Sequence, residues 1–431
     1  MQFVLTTALL PYYLYKDIMS QIDTNQLKNQ NPYKLLLIYG LSLCILFMLL
    51  VSGRVAEGSQ QLSLLAQAFV HGQTNFLHPI GSLGQDPINY HGKIYWGEGP
   101  FPAVVLMPFV ALFDIFHAFF YQGYIEWVFI LGVIFFVYKL ARIFKYSQED
   151  SALMSLAFTL GTAFIGIIAV SSSWFFAQVL ATFLIFWSLY EFYSRRRWWL
   201  IGSICAAIML TRITASPIIL FFVFELWLKA PVKRKNLKLY IQLLSPVVVA
   251  ALLIGLYNFV RFGSPFNGGF AYQTLYQDSS ISRSYGIFSI KHIPANLYSL
   301  VLRAPDISLI NNNSWTLKFP FIQNNTLGMS RFITSPYFLV LFTYKWSSYS
   351  DQIKRLLLAT GVCILFVLTY YGIGLEQFGT RYSLDFLPEL FVVFMAMYKK
   401  HNRQLSGGMR FLLIASGLVN MYLLVPFLMH G

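Results

Sequence analysis

Charge is scarce in this chain. Only 11% of its 431 residues are Asp, Glu, Lys or Arg, where soluble domains carry roughly 25%. Acids are the scarcest, 17 against 31 Lys and Arg. A water-soluble globule of this length is therefore excluded. Cysteine is nearly absent as well. Cys44, Cys205 and Cys363 each sit inside an apolar run, without the paired spacing of a disulfide framework or a zinc site. No Walker A motif and no Gly-rich dinucleotide fingerprint occurs. The seven histidines lack ligand spacing, and no internal repeat or low-complexity tract stands out.

What fills the chain is apolar surface. Hydrophobic residues make up 57% and aromatic residues 18%, and the mean hydropathy is +0.59. Runs near 34–52, 125–144, 152–170, 174–193, 198–212, 216–229, 239–259, 332–344, 355–373, 383–398 and 409–428 approach the ~20 residues that cross a bilayer. The expectation is one all-α integral membrane domain over 1–431, with about eleven transmembrane helices. Part of the Tyr and Trp content reads as interfacial anchoring. Residues 1–14, MQFVLTTALLPYYL, resemble a signal-peptide core but lack a basic n-region, so they read as an interfacial segment or an overlong start.

The net charge of +14 does not mean nucleic acid. The basic residues sit in short clusters between apolar runs, as the positive-inside rule requires. That rule also decides the segment 100–120, PFPAVVLMPFVALFDIFHAFF, which is long enough to span but carries Pro100, Pro102 and Pro108. If it does not cross and the N-terminus is cytoplasmic, roughly two-thirds of the 31 Lys and Arg fall on the cytoplasmic side. If it crosses, the bias inverts. The reading is a re-entrant or interfacial hairpin at 100–120, with the C-terminus outside. Two large outer loops follow, 53–124 and 260–331, and a short one, 374–382. The cytoplasmic loops are too short to build a site.

In the first outer loop, Leu62, Leu65, Ala66 and Phe69 recur at helical spacing after Glu57, and His71-Gly72 ends the pattern. Glu57 has two readings. It is a helix-start carboxylate favoured by the dipole, or a general base at the membrane surface. Asp86 and Glu98 lie in a Gly- and Pro-rich stretch, in which Gln85-Asp86-Pro87 and Gly97-Glu98-Gly99-Pro100 also read simply as turns. Lys93 either binds a phosphate or decorates its loop, and Tyr90 and Tyr95 flank it. Arg212 ends an apolar helix and Arg381 heads another. A cation there either snorkels to lipid phosphates or grips a substrate phosphate, whose oxygens match the guanidinium fork. Asp385 reads as the partner of Arg381, one helical turn on, with Tyr382 beside it. Asn312-Asn313-Ser314 and Asn324-Asn325-Thr326 match the glycosylation acceptor pattern, a pattern short enough for Asn-rich loops to produce by chance.

These pieces resemble a family. The amphipathic segment opened by an acid, then Tyr90-x-Gly92-Lys93-x-Tyr95 and Gly99-Pro100-x-Pro102 leading to LMPF, is similar to bacterial GT-C glycosyltransferases of the mannosyltransferase and aminoarabinose-transferase kind. So are Leu210-Thr211-Arg212-Ile213-Thr214, Phe262-Gly263-Ser264-Pro265, Tyr285-Gly286-Ile287-Phe288-Ser289, Pro294-x-Asn296-x-Tyr298 and Phe378-Gly379-x-Arg381-Tyr382 with Asp385-Phe386-Leu387-Pro388. The resemblance covers most of residues 35–400. It implies transfer of a sugar from a polyprenyl-phosphate carrier to a lipid, glycan or protein acceptor at the outer face of the bacterial plasma membrane. It implies Glu57 as the family's first-loop acid, in place of the usual Asp, and the expected role is general base. The expectation is that Glu98 and Asp86 are the other catalytic candidates, that Arg381, Arg212 and Lys93 bind the donor phosphate, and that Tyr90, Tyr95 and Tyr382 line the substrate. The metal-dependent branch uses acids in a short loop that here reads SSSWFFAQ, with Gln178 and no acid. The expectation is therefore an inverting transferase with no metal and no cofactor. The rival is a non-catalytic transporter or flippase of lipid-linked sugars, which needs polar residues through the full membrane depth.

Overall fold

A computed structural model of the chain describes residues 40, 58–77, 87–228, 233–275, 277–311 and 316–430. The expected span 34–52 apart from Gly40, residues 1–14, Glu57, Asp86, Cys44 and Asn312 lie outside the described residues. What is described is mostly helical. In chain order the helices are α1 (Gln61–Val70), α2 (Phe101–Ile115), α3 (Gly123–Ile143), α4 (Gln148–Leu160), α5 (Phe164–Ile167), α6 (Ser173–Tyr193), α7 (Trp198–Thr211), α8 (Ile219–Leu228), α9 (Lys233–Phe262), α10 (Gln277–Arg283), α11 (Ile293–Val301), α12 (Arg331–Thr334), α13 (Asp351–Thr369), α14 (Leu387–His401) and α15 (Gly407–His430). Tight 3-10 turns occupy Ile213–Ile218, Pro336–Thr343 and Arg381–Asp385.

The all-α expectation needs one correction. Two antiparallel ribbons stand in the loops, β1 (Ile88–Tyr90) with β2 (Lys93–Tyr95), and β3 (Asp306–Leu309) with β4 (Leu317–Gln323). His91-Gly92 closes the first ribbon with both residues in the left-handed region, the backbone a two-residue hairpin turn demands.

Among the described residues, five helices are long and apolar enough to cross a membrane: Gly123–Ile143, Ser173–Tyr193, Leu237–Phe262, Asp351–Thr369 and Gly407–Leu428. The remaining apolar runs among the described residues are shorter or broken. The run 152–170 breaks after Leu160, and 332–344 forms a four-residue helix followed by a 3-10 turn from Pro336. A break inside an apolar core frees carbonyls that must find donors. Here the two breaks answer one another. Ser335 Oγ donates to the Gly161 carbonyl at 2.8 Å and the Tyr337 hydroxyl donates to the same oxygen at 3.2 Å. Asn420, on α15, donates to both Leu160 O and Thr334 O at 3.0 Å.

The main core runs through α3, α4, α6, α7, α8, α14 and α15, with Phe158, Phe186, Phe221, Phe222 and Phe391 fully buried. A second core joins α1 to α2 through Leu62, Leu65, Ala66, Ala103 and Leu106, so the apolar stripe expected after Glu57 faces protein on that side. Charges at several helix ends are consumed by ion pairs: Glu191 with Arg197, Glu225 with Arg355 and Asp150 with Arg410.

Candidate functional site

Gln377 organises the loop that carries Arg381. Fully buried, its amide donates to Leu327 O at 2.9 Å and Ile373 O at 2.8 Å, and its Oε1 accepts from the Arg381 backbone N–H at 3.1 Å. Asn324, at the end of β4, holds the same loop from the other side. It donates to Gln377 O at 2.9 Å and accepts from the Gly379 N–H at 3.3 Å. Asn324 is thus buried in a structural clamp, and its match to the glycosylation pattern is fortuitous.

So held, the Arg381 side chain is 7% exposed and lies over two rings, Tyr382 at 4.7 Å and Phe175 at 5.5 Å. One amino group reaches the Tyr382 hydroxyl at 3.5 Å. Nε and Nη1 are buried without a hydrogen-bond partner among the described residues. Gln178 on α6 donates to Arg381 O at 3.4 Å, and its own Oε1 is buried without a partner there.

Asp385 belongs to Arg212, not to Arg381 as the sequence reading expects. Arg212 Nε meets Asp385 Oδ1 at 2.6 Å and Nη2 meets Oδ2 at 3.0 Å, and Thr214 adds its hydroxyl to Oδ2 at 2.5 Å. The reason is local. Residues 381–385 form a 3-10 turn, in which i and i+3 eclipse and i+4 points elsewhere. The guanidinium of Arg212 also lies 5.7 Å from the Tyr382 ring, so Arg212 and Arg381 address one tyrosine.

Glu98 joins this group through its neighbour. A Cβ on Gly99 would fall 2.1 Å from the Leu210 carbonyl oxygen, so only glycine lets the 97–99 turn press on the end of α7. That contact brings Glu98 within electrostatic reach of both Arg212 and Tyr370. The Tyr370 ring in turn lies 5.7 Å from that of Tyr382.

The first ribbon contributes a different surface. Tyr90 and Tyr95 pack on Phe262, at ring separations of 5.5 and 5.3 Å, and Tyr90 also meets Tyr272 at 4.6 Å. Arg261 ties the hairpin down by donating to Trp96 O at 2.8 Å. Burial pushes the Tyr95 hydroxyl above its ordinary pKa, with Arg261 partly offsetting the rise. Lys93 is exposed beside the turn.

Glu57 and Asp86 lie outside the described residues, but the chain just after Glu57 does not. Ser59 O accepts from Ser173 twice, from its backbone N–H at 2.9 Å and its hydroxyl at 2.8 Å. The first turn of α6 therefore touches Ser59 through Ser173 and Arg381 through Phe175. Among the described residues, no three His, Cys, Asp or Glu side chains gather as a metal-ligand group. Sequence reasoning missed the roles of Gln377, Asn324, Thr214, Tyr370 and Phe175. Asn324 and Thr214 stand inside patterns quoted above, but neither pattern says what the side chain holds, and Gln377, Tyr370 and Phe175 are marked by no motif.

No protein-family model matches the chain, and no curated protein does. Two solved structures are similar to it. One is the archaeal oligosaccharyltransferase AglB from Archaeoglobus fulgidus in complex with an inhibitory peptide and a dolichol-phosphate, at 15% identity and a TM-score of 0.41, covering 93% of this chain and 55% of that one. The other is the Archaeoglobus fulgidus oligosaccharyltransferase in its apo form, at 14% identity and a TM-score of 0.43, with the same coverage. The chain spans about half the length of the structures it matches.

Proposed function

We propose that this chain is an inverting, metal-independent glycosyltransferase of GT-C type. It moves a hexosyl or pentosyl unit from a polyprenyl-phosphate carrier to an acceptor hydroxyl at the outer face of a bacterial plasma membrane. The acceptor is a lipid, a glycan or a protein. The N-terminus is cytoplasmic, the C-terminus outside, and residues 100–120, built on the single helix α2 and not on a hairpin, enter and leave on the outer side as an interfacial segment. The family resemblance of the sequence supplies the reaction class.

One observation carries the site. The Arg381 guanidinium is buried with Nε and Nη1 unpartnered among the described residues. An unpaired buried charge is costly, and an anion that fills the fork with charge-assisted hydrogen bonds relieves that cost. The carrier phosphate is such an anion. In the reaction the acceptor oxygen bonds to the anomeric carbon as the carbon–phosphate oxygen bond breaks on the opposite face. The hydroxyl proton passes to Glu57, and the electron pair leaves on the phosphate, where Arg381 meets the growing charge. Arg212, its fork engaged by Asp385, contributes through its field. Lys93 faces an arriving headgroup from the hairpin, Tyr382 lines the phosphate side, and Tyr90 and Tyr95 line the approach. Glu98 and Asp86 are the remaining acids of the first loop.

A flippase needs unpaired polar groups through the membrane depth. Here Glu191, Glu225 and Asp150 are each tied up in an ion pair, while buried Glu126 and Glu389 each keep one carboxylate oxygen without a partner among the described residues. The family resemblance of the sequence and the open Arg381 fork in the 374–385 segment support the enzyme.

The test is transfer in proteoliposomes containing a polyprenyl-phosphate sugar, run in EDTA. Arg381→Ala should weaken donor binding on the order of 10- to 100-fold, the equivalent of a charge-assisted hydrogen bond of about 1.5–3 kcal/mol, while wild type remains active in the chelator. Unchanged binding and turnover in Arg381→Ala would remove the phosphate from this position. Loss of wild-type transfer in EDTA, restored by manganese or magnesium, would remove the metal-independent mechanism.

A further inference from the structure

The β3–β4 ribbon presents apolar side chains where a water-facing loop would be polar. Phe319 is 74% exposed and Phe321 50%, and Ile307, Ile310, Leu317 and Ile322 are exposed with them. The ribbon is not free-standing. β4 packs against α15, and the Tyr422 hydroxyl donates to Pro320 O. Tyr422 lies inside the candidate span Gly407–Leu428, roughly 9 Å short of its end at 1.5 Å per residue. On the same helix Leu418, Val419 and Val425 are exposed, and on a membrane span such residues face lipid. The apolar surface of the ribbon therefore continues a lipid-facing surface at the level of the helix's last turns.

We propose that this ribbon is a membrane anchor whose occupant is phospholipid, seated in the headgroup region of the leaflet on the Arg381 side. Two features fix the depth. A two-stranded ribbon has open backbone edges, which the hydrocarbon core does not tolerate. Lys318 is exposed between Leu317 and Phe319, placed to reach lipid phosphate while its neighbours dip below. The anchor is also wired to the site. The chain leaving β4 is Asn324, which clamps Gln377 and Gly379, and Gln377 holds the Arg381 backbone. The bilayer thus sets the height of the loop that carries Arg381. The inference rests on α15 as a span and not on the transferase reading, and its test reads lipid contact and not transfer.

The experiment attaches a nitroxide at Phe319→Cys, and separately at Phe321→Cys, in the full chain in phosphatidylethanolamine–phosphatidylglycerol nanodiscs. Collision with oxygen, which partitions into lipid, is compared with collision with a water-soluble nickel chelate. Leu418→Cys serves as the lipid reference and His91→Cys, at the exposed hairpin turn, as the water reference. Both ribbon sites should favour oxygen and fall between the two references, nearer Leu418. Preference for the chelate equal to that at His91 overturns the proposal. So does shielding from both quenchers, which would mean that protein covers the ribbon. If a cysteine variant does not fold, amide exchange over 306–323 in the wild-type chain decides. Exchange that speeds up when the nanodisc lipid is replaced by a short-chain detergent supports the anchor, and no change on that replacement overturns it.

Discussion

Arg212 and Asp385 stand 173 residues apart and meet as a two-pronged ion pair, at 2.6 and 3.0 Å. Thr214 completes the carboxylate's shell. The pair joins the end of α7 to the turn before α14, the two segments that present their arginines to Tyr382. Removing one partner leaves the other charge buried and alone, which typically costs about 3–5 kcal/mol. Asp385→Ala should therefore lower the thermal midpoint of the solubilised protein sharply, and Thr214→Val much less. Equal midpoints for wild type and Asp385→Ala would show that the pair does not hold these segments together.

Gly99 gives a steric prediction. Gly99→Ala places a methyl carbon 2.1 Å from the Leu210 carbonyl oxygen, so the 97–99 turn must lift off α7 and take Glu98 with it. At Gly97 the nearest atom to an added Cβ is a flexible one, Ile88 Cδ1 at 3.3 Å. Gly99→Ala should reduce transfer and stability together, whereas Gly97→Ala should be nearly silent. The reverse order in a side-by-side melt and activity assay would contradict the contact.

Glu57→Gln separates the two readings of the first-loop acid. The amide keeps size and hydrogen-bonding capacity but takes no proton. A general base contributes on the order of 100- to 10,000-fold, while a lost helix-dipole interaction is worth about 0.3–1 kcal/mol. Turnover should fall by the larger factor with donor binding nearly unchanged. Wild-type turnover would make Glu57 a helix-start residue and turn attention to Glu98, then Asp86.

The placement of residues 100–120 on the outer side predicts a labelling pattern. Tyr121→Cys, in the link between α2 and α3, and Tyr124→Cys, in the first turn of α3, should react with an impermeant thiol reagent from outside intact cells. Helix α2 has 15 residues, about 22 Å of length, short of the ~30 Å hydrocarbon core. Labelling only from the cytoplasmic side would invert every later loop.

Much of the fold was legible because apolar runs, prolines and basic clusters are local signals. The helix over Gln61–Val70 follows from the spacing of Leu62, Leu65 and Ala66, and Gly72 ends it with a positive φ. The broken runs were less legible. Nothing local says that Gly161 and Ser335 would meet, or that Asn420 would bridge them, because each break is stable only when the other supplies its donors.

The sequence alone determined the solvent in which most of this chain lives. Too few charges and too many apolar runs leave the bilayer as the only place where that much surface is satisfied. It also marked Glu98, Arg212, Arg381 and Tyr382 as polar groups worth explaining. Which arginine is neutralised was decided only by tertiary structure. A carboxylate four residues from Arg381 was turned away from it by a 3-10 turn and captured by Arg212 from a distant helix. One guanidinium was left paired and the other open, because in a dry interior the geometry of the nearest available partner, not its distance along the chain, sets which charge is satisfied.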